Sequence, residues 1–285
     1  MKRLLILVFA LCLGLTVGAK PSIKSHWRGA RVAYLGDSIT ETRQVEQGLN
    51  KTYWLYLEEL LGTKSFVYGI SGHQWKHIPA QTDRLVAECG QEVDAIIIFV
   101  GTNDYNTNVP LGEWYSEEVV ECEVSGPKGA KMGTMVERKK RTRLMDGATE
   151  RGRINIAMSK LKEAYPTKQI ILLTPLHRGN AYLSDRNIQQ DECHANGVGE
   201  YIDAYVEVVK EAGNVWAVPV IDLNSTSGLY PLAEANAPYW RRASLEADKR
   251  SGRPRMDRLH PNDAGHLRIA RVLAYQLLAH PAKLD

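Results

Sequence analysis

One serine, one aspartate and one histidine in this sequence have the residue types and spacing of a nucleophilic catalyst. Ser38 lies in a Gly-Asp-Ser-Ile-Thr stretch, and Asp257 precedes His260 by three residues. A serine hydroxyl becomes a good nucleophile only when a base removes its proton, and imidazole titrates near neutral pH. Asp257 can reach the imidazole across one tight turn and hold it in the correct tautomer. The three residues predict acyl transfer, with Ser38 as nucleophile and His260 as general base.

Acyl transfer also needs hydrogen-bond donors for the oxyanion that develops on the attacked carbonyl. The backbone N–H groups of Ser38 and Gly72 and the side-chain amide of Asn103 are suitable donors. A glycine at position 72 also lets the backbone approach a substrate closely. We therefore expect these three positions to form an oxyanion hole.

Each of these signals has a simpler explanation when it is taken alone. The stretch Gly36-Asp37-Ser38 could be a turn that caps a helix, and Asn103-Asp104 could be a turn after a strand. The pair Asp257-x-x-His260 could be a cap before a proline or two metal ligands, although no third or fourth ligand has matching spacing. Their joint occurrence in this order favours catalysis, and no metal site is predicted.

The elements that would position these residues alternate along the chain. Apolar runs predict strands at 31–35, 65–70, 94–100, 169–173 and 215–221, and amphipathic patterns predict helices at 52–61, 78–89, 150–165, 197–212 and 263–279. This order predicts an α/β fold with one parallel sheet and helices on both faces. Ligands of such sheets bind at the carboxyl ends of the strands, and Ser38, Gly72 and Asn103 all follow predicted strands.

No linker divides residues 20–285, so we expect one domain with an insertion at about 104–148. The insertion could be a lid over the site, or a solvated hairpin whose opposite charges contribute only ~0–1 kcal/mol per pair. Its acidic cluster offsets its basic run, which argues against nucleic-acid binding. The acidic residues are Glu117, Glu118, Glu121 and Glu123, and the basic run spans 137–143.

Residues 1–19 have the layout of a secretory signal peptide. Lys2 and Arg3 precede an apolar run at 4–15, and small residues at Val17 and Ala19 suit a cleavage site. A membrane anchor is the alternative, but a spanning helix needs ~20 apolar residues and this run is shorter. The layout predicts an exported protein, periplasmic or extracellular, that keeps no stable membrane anchor after cleavage.

The composition of the chain narrows the class of protein. It has 285 residues, of which 44% are hydrophobic and 24% charged, with a net charge of +3. These values are typical of a globular domain, and the small charge gives no reason to expect a nucleic-acid partner. Three cysteines remain after the signal, which allows at most one intramolecular disulfide and requires none at this size. They are Cys89, Cys122 and Cys193.

Further polar and aromatic residues near the predicted strand ends are candidate substrate contacts. Trp75 could equally pack under a helix, and the residues after the fourth strand could simply be solvated. Several aromatic residues could stack on a sugar ring, although aromatic side chains are more often buried. They are Trp114, Tyr115, Tyr230, Tyr239 and Trp240. The candidate contacts are Asp37, His73, Trp75, Asp104, His177 and Arg178.

Four stretches together resemble the conserved blocks of the SGNH (GDSL-like) hydrolases. These are Gly36-Asp37-Ser38-Ile39-Thr40, Gly72, Gly101-Thr102-Asn103-Asp104 and Asp257-x-x-His260, within a resemblance from about residue 32 to the C-terminus. The resemblance implies a three-layer flavodoxin-like sandwich with a five-stranded parallel sheet, and no metal or organic cofactor. It makes Ser38 the nucleophile, Asp257 and His260 the rest of the triad, and Gly72 and Asn103 parts of the oxyanion hole.

The family hydrolyses carboxylic esters, including lipids, thioesters and acetylated sugars. For this chain the export signal favours a secreted or periplasmic serine esterase that deacetylates carbohydrate esters through an acyl-enzyme. Its expected partner is a small-molecule or glycan ester substrate. The alternatives are a lipid or thioester acylhydrolase, and a catalytically silent carbohydrate-binding module that retains the fold.

Overall fold

Strands and helices alternate along the chain in a computed structural model that describes residues 24–46, 49–123, 131–184, 186–241 and 256–284. The predicted signal peptide lies outside the described residues. The strands are β1 (Arg31–Gly36), β2 (Lys64–Val67), β3 (Ala95–Phe99), β4 (Tyr115–Glu123), β5 (Met135–Arg143), β6 (Gln169–Leu173), β7 (Ala181–Ser184), β8 (Asn187–Gln189) and β9 (Val220–Ile221). The helices are α1 (Arg43–Glu46), α2 (Tyr53–Leu61), α3 (Ile78–Cys89), α4 (Thr102–Asn106), α5 (Glu150–Ala164), α6 (Ile202–Trp216), α7 (Leu223–Thr226) and α8 (Asp263–Leu277).

Five parallel strands form the central sheet in the order β2-β1-β3-β6-β9. Every residue of β3 and β6 is buried, because helices cover both faces of the sheet. This explains why the sequence shows continuous apolar runs rather than alternation at these strands. The predicted α/β class and the five-stranded parallel sheet are confirmed.

The alternation of side chains along each strand divides the core into two layers. Val32 and Ile97 face α2 and α8 on one side of the sheet. Ala33 and Ile96 face α3, α5 and α6 on the other side. The fold is therefore the three-layer sandwich that the sequence resemblance implies, and all loops that follow strands β1, β3 and β6 meet at one edge.

Two predicted elements were wrong in their bounds. The helix expected at 197–212 begins at Ile202 and continues to Trp216, so it takes the first residues of the strand expected at 215–221. Residues before this helix form a turn in which the Asn196 side chain accepts from two backbone N–H groups. The helix ends at Ala217, which adopts a left-handed conformation with φ of 50°.

The insertion contains an antiparallel hairpin of β4 and β5. Acidic residues of one strand face basic residues of the other, as at Glu117 opposite Arg141 and Glu118 opposite Lys140. Nearly all of these side chains are exposed, so each ion pair contributes little to stability. At the base of the hairpin, Arg143 lies over the ring of Trp216, 4.3 Å from its centre. The described part of this segment is an exposed hairpin, as one of its two interpretations expects.

Within the described ranges, no helix has the length and apolar character that crossing a membrane would require. The three cysteines retained after the predicted signal are unpaired thiols: Cys89, Cys122 and Cys193.

Candidate active site

The serine, histidine and aspartate singled out in the sequence meet at the carboxyl edge of the sheet. Ser38 Oγ lies 2.9 Å from His260 Nε2. On the other side of the imidazole, His260 Nδ1 lies 2.9 Å from Asp257 Oδ2. Residues more than 200 positions apart in sequence therefore form one continuous chain of hydrogen bonds, and Ser38 itself is only 6% exposed.

A sharp turn after β1 presents the serine. The Asp37 carboxylate accepts from the backbone N–H of Ile39 at 3.0 Å, and the Asp37 carbonyl accepts from Thr40. A Cβ atom on Gly36 would lie 2.3 Å from the Thr40 hydroxyl oxygen, so only glycine permits this approach. The glycine in the Gly-Asp-Ser stretch thus has a steric reason to be there.

A buried glutamine on α3 holds the end of β1 in place. The Gly36 N–H donates to Gln81 Oε1 at 2.9 Å, and Gln81 Nε2 donates to the Gly36 carbonyl at 2.8 Å. Gln81 Nε2 also contacts His73 Nδ1 at 2.9 Å. Sequence reasoning missed this residue. The available signal was a polar side chain on the apolar face of a helix, between Ile78 and Leu85.

The histidine loop is fixed by backbone pairing on both sides. Residues 179–182 pair with 256–258, including a bridge between Ala181 and Asp257. On the other side, the Arg241 N–H donates to the His260 carbonyl at 2.9 Å. Just after the loop, the Asn262 side chain caps α8 by accepting from two backbone N–H groups. These contacts determine the position of the imidazole with little freedom.

The charge on Asp257 is stabilised within this loop. Burial alone would raise its pKa, but hydrogen bonds from the His260 side chain and from the backbone of His260 and Leu259 lower the pKa below its ordinary value. An ionised carboxylate only accepts, so His260 Nδ1 carries the hydrogen and Nε2 faces Ser38 as an acceptor. That tautomer is the one a general base for the serine hydroxyl requires.

The expected oxyanion donors lie beside the serine loop. Gly72 has a φ of +79°, a backbone conformation that favours glycine. A Cβ atom there would meet nothing within 4 Å, so the backbone conformation rather than lack of space explains the glycine. Asn103 Nδ2 donates to the His73 carbonyl at 2.9 Å, and a longer contact of 3.4 Å joins it to Asp37 Oδ2. The bond to His73 positions the amide, and the other hydrogen on Asn103 Nδ2 makes only the long contact with Asp37.

Asp37 lies next to this amide and is 2% exposed. Burial raises its pKa to about 7, against the opposing effects of the Ile39 N–H and the nearby His260. This carboxyl group supports the turn around Ser38 through its hydrogen bond to Ile39, and its burial corrects the expectation that Asp37 contacts the substrate.

Comparison with known proteins identifies the family. The model of the GDSL-like Lipase/Acylhydrolase family matches residues 34–268, which span all four sequence blocks. The chain belongs to this family. The membership confirms the resemblance seen in the sequence and makes the protein a carboxylic ester hydrolase.

Solved structures agree with this family in fold. A protein from Lactobacillus plantarum has 22% identity and a TM-score of 0.63, with 89% of this chain and 98% of that chain covered. A protein described as a possible lipase from Chitinophaga pinensis DSM 2588 has 20% identity and a TM-score of 0.61 over 87% and 97% of the two chains. The acetyl xylan esterase AlAXEase has 17% identity and a TM-score of 0.50 over 87% and 99%. A comparison with curated proteins found no match.

Two other candidate substrate contacts of this GDSL-like hydrolase are also buried, which corrects the expectation from sequence. Trp75 is fully buried in the core, so its ring offers no face to a ligand. Asp104 is also fully buried, accepts from the Trp75 N–H at 3.1 Å, and pairs with Arg153 at 2.9 Å. Burial and the neighbouring Asp104 raise the pKa of Glu150 well above its ordinary value. These groups support the loop that carries Asn103 rather than contacting substrate.

Arg178 is a further correction, because it is 1% exposed and its guanidinium lies over the ring of Tyr105, 5.0 Å from the ring centre. Its guanidinium donates to Gln189 Oε1 at 2.9 Å. The preceding residue, His177, is not fully buried, unlike Arg178. It lines a pocket of the hydrolase, and its Nδ1 lies 2.9 Å from Glu192 Oε1.

His73 remains partly exposed at the edge of the site. Its ring stacks on that of His77, with the two centres 4.3 Å apart. Its Nδ1 faces the Gln81 amide and is therefore an acceptor, and the His77 Nδ1 accepts from the Gln74 N–H at 2.9 Å. In both rings, Nδ1 is therefore an acceptor for a hydrogen bond from the protein.

The described residues of the hydrolase contain no group of three or more His, Cys, Asp or Glu side chains arranged to hold a metal ion. Asp257 and His260, which by spacing alone could be metal ligands, bond to each other instead.

Proposed function

We propose that this hydrolase is an exported serine esterase that removes acetyl groups from carbohydrate esters through an acyl-enzyme. The observation that carries the catalytic part is the hydrogen-bond chain from Ser38 Oγ through His260 to Asp257. This arrangement has the nucleophile, the base and the orienting carboxylate within bonding distance of one another.

The first half of the reaction acylates the serine. Ser38 Oγ attacks the ester carbonyl carbon while His260 Nε2 takes the hydroxyl proton, and Asp257 stabilises the imidazolium that forms. The oxyanion accepts hydrogen bonds from the Ser38 and Gly72 N–H groups and from Asn103 Nδ2. Each such donor contributes about 2.7–4 kcal/mol to transition-state stabilisation. The carbon–oxygen bond to the alcohol then breaks, and His260 gives its proton to the departing alcohol oxygen.

The second half releases the acid. A water molecule loses a proton to His260 Nε2 and attacks the acyl carbon, and a second tetrahedral intermediate forms in the same oxyanion hole. Its collapse breaks the bond to Ser38 Oγ, which takes the proton back from His260. The free serine is restored and one acetate leaves.

Three observations support an acetylated carbohydrate as the substrate. The N-terminal sequence suits export to the periplasm or out of the cell, where an enzyme can encounter polysaccharide esters. The net charge is only +3, so the surface gives no preference for strongly charged ligands. One structural neighbour is an acetyl xylan esterase.

The catalytic proposal is tested with purified mature protein and p-nitrophenyl acetate. We expect steady hydrolysis and covalent labelling of Ser38 by a fluorophosphonate, and we expect Ser38→Ala to abolish both. Turnover that survives in Ser38→Ala would refute the assignment. Glycan binding with neither turnover nor fluorophosphonate labelling of Ser38 would support a silent module instead.

The substrate proposal is tested separately by measuring acetate released from acetylated polysaccharides. The same protein is assayed on p-nitrophenyl esters of increasing acyl length. We expect acetate release from the polysaccharide and a rate that falls steeply beyond short acyl chains. A preference for long acyl chains would favour a lipid or thioester acylhydrolase.

Export is tested by expressing the full chain with its N-terminus in a secreting bacterial host. We expect the protein outside the cytoplasm, with a mature N-terminus near position 20. A protein that keeps residues 1–19 and stays in the cytoplasm would contradict the signal peptide.

A further inference from the structure

The imidazole of His177 is held in a fixed orientation beside the active site. Its Nδ1 lies 2.9 and 3.0 Å from the two carboxylate oxygens of Glu192, one of which also accepts from the Arg178 N–H at 2.8 Å. Because the carboxylate only accepts, Nδ1 is the donor. Among the described residues, Nε2 has no hydrogen-bond partner, and the side chain is 26% exposed. Nε2 is therefore available to a ligand.

The pocket that His177 lines also reaches the catalytic loops. Asp37 and Ile39, on either side of the nucleophile, line it, and so does Leu259, which precedes the general base. His177 therefore lies next to the loops that carry Ser38 and His260.

The position of His177 indicates which end of the ester it meets. The chain that follows it pairs with the histidine loop, through the bridge of Ala181 with Asp257 and the bond from the Gly179 N–H to the Arg258 carbonyl. The alcohol oxygen must reach His260 to receive its proton. The alcohol portion of the substrate therefore lies on the side of the site where His177 is found, and the carbonyl oxygen points to Gly72 and Asn103.

An aromatic ring completes this region. The ring of Tyr230 stands perpendicular to His177, with the centres 5.3 Å apart, and it is 45% exposed. An exposed aromatic face packs well against the C–H face of a saturated ring, while an imidazole nitrogen exchanges hydrogen bonds with hydroxyl groups. The two side chains together suit a ring that carries hydroxyls.

The charge next to His177 further restricts the chemical class of the ligand. The hydrogen bond to Glu192 raises the pKa of His177 against the effect of burial, and Asp203 and Asp222 act in the same direction. The Glu192 carboxylate already pairs with the imidazole, so a carboxylate or phosphate on the ligand would have to compete with it. The available nitrogen also disfavours a purely alkyl alcohol, because that alcohol would leave it without a partner.

We propose that His177 and Tyr230 form a subsite for a neutral, hydroxylated ring on the alcohol side of the ester. The subsite rests on the proposed esterase function and specifies its substrate: an acetyl ester of a sugar rather than of an apolar alcohol. Glu192 is the positioning residue that directs Nε2 of His177 towards the ligand.

The test compares two acetates that differ in the hydroxyls of the alcohol ring: a monoacetylated methyl xylopyranoside and cyclohexyl acetate. We expect His177→Ala to lower kcat/KM for the xyloside about tenfold, the effect of one lost hydrogen bond to a charged or polar partner, with less than about twofold loss on cyclohexyl acetate. Tyr230→Ala should lower the xyloside value similarly, and Tyr230→Phe should keep it within about twofold, because the ring remains.

Matched controls exist elsewhere on the surface. His194 also pairs with a carboxylate, that of Asp191, and its side chain is 57% exposed. Tyr275 on α8 is 70% exposed. We expect His194→Ala and Tyr275→Ala to leave both esters unaffected. The half-exposed Tyr230 can be truncated without opening the core, so its variants test the subsite even where a His177 variant has a lowered melting temperature.

The outcomes separate the two proposals. Equal losses on both acetates, no loss on either, or a wild-type enzyme that cleaves p-nitrophenyl acetate but not the xyloside would each overturn the subsite while leaving the esterase intact. Absence of Ser38-dependent cleavage of p-nitrophenyl acetate would instead overturn the esterase, and with it the subsite.

Discussion

The side-chain amide of Gln81 makes two hydrogen bonds with the backbone of a single residue, Gly36, at 2.9 and 2.8 Å. The glycine lies two residues before the nucleophile, and Gln81 also contacts His73, whose carbonyl holds the Asn103 amide. One buried side chain thus connects the serine turn with the oxyanion loop. It touches neither the substrate nor the reacting atoms, so its role is to position them.

We predict that Gln81→Ala lowers kcat by about 10- to 100-fold with little change in KM, because displacements near 1 Å at a nucleophile have costs of this size. The buried Gly36 N–H also loses its partner, whereas the Gly36 carbonyl still accepts from the Ile70 N–H, so the free energy of unfolding should fall by about 1–3 kcal/mol. Steady-state kinetics on p-nitrophenyl acetate well below the melting temperature, and urea unfolding, measure the two effects.

Thr82→Val is the matched control for this variant. Thr82 is equally buried on the same helix, but its hydroxyl donates only to the Ile78 carbonyl of the preceding turn. Its kcat should stay within about twofold of wild type, since local bonds of this kind do not reach the site. A Gln81→Ala enzyme with unchanged kcat would show that the turn holds its geometry without the amide.

The second prediction concerns the orienting carboxylate. Asp257→Asn keeps the shape of the side chain but can present an N–H to His260 Nδ1, which favours the tautomer with its hydrogen on Nε2. That nitrogen then cannot take the serine proton, and kcat should fall about 10⁴-fold while the fold is retained.

Asp83→Asn serves as the comparison for Asp257→Asn, because Asp83 is an exposed aspartate on α3 that pairs with Lys160. Its kcat should equal that of wild type, since exposed ion pairs contribute little. If Asp257→Asn kept more than about a tenth of wild-type kcat, the carboxylate would not control the tautomer in the way the geometry indicates.

Local patterns were sufficient for the framework and for the catalytic residues. The apolar runs of β3 and β6 mark strands buried on both faces, and their order with the helices determines the parallel sheet. Because parallel strands end at one edge, residues that follow them, such as Ser38 and Asn103, could be expected to meet. The spacing of Asp257 and His260 is itself a local signal, since three residues form one turn.

Burial of polar and aromatic side chains was harder to predict, because it depends on distant segments. Trp75 and Arg178 follow strand ends and looked like candidate contacts, yet other parts of the chain cover both. Gln81 forms hydrogen bonds with Gly36, which lies 45 positions earlier in the sequence, and no local pattern predicts this contact. The helix α6 begins later than expected because the Asn196 side chain forms a turn before it, and apolar periodicity carries no information about such side-chain hydrogen bonds.

The third prediction concerns the charged hairpin. The described contacts at its base involve Arg143, which lies over Trp216 and donates to the Val215 carbonyl at the end of α6. We expect replacement of 117–141 by an Asn-Gly turn, which suits the directly opposed pair Ser116 and Thr142, to keep kcat/KM for p-nitrophenyl acetate within about twofold. Kinetics and circular dichroism of the shortened enzyme measure this. A loss above about tenfold in a folded protein would support the lid interpretation.

The last prediction uses a buried histidine on α8. His266 is 1% exposed, and its Nδ1 accepts from the Tyr53 N–H at 3.2 Å. Burial, with the neighbouring side chains of Arg241 and His260, lowers the pKa of His266 to about 3. The folded protein therefore keeps this ring neutral at pH values where the unfolded chain, with a histidine pKa near 6.5, takes up a proton.

The sign of the effect follows from proton uptake. Between pH 6.5 and about 3 the unfolded state binds more protons at this position, so the free energy of unfolding falls as the pH falls, by about 1.4 kcal/mol per unit. His266→Gln cannot titrate. We expect wild type to be more stable than His266→Gln at pH 7.5, and the difference to narrow by about 2 kcal/mol at pH 5 in urea unfolding. Ile269→Val, a buried substitution one turn along α8, should show a difference from wild type that does not depend on pH. A His266→Gln difference that is equally constant would mean that the folded protein accepts the proton at this ring.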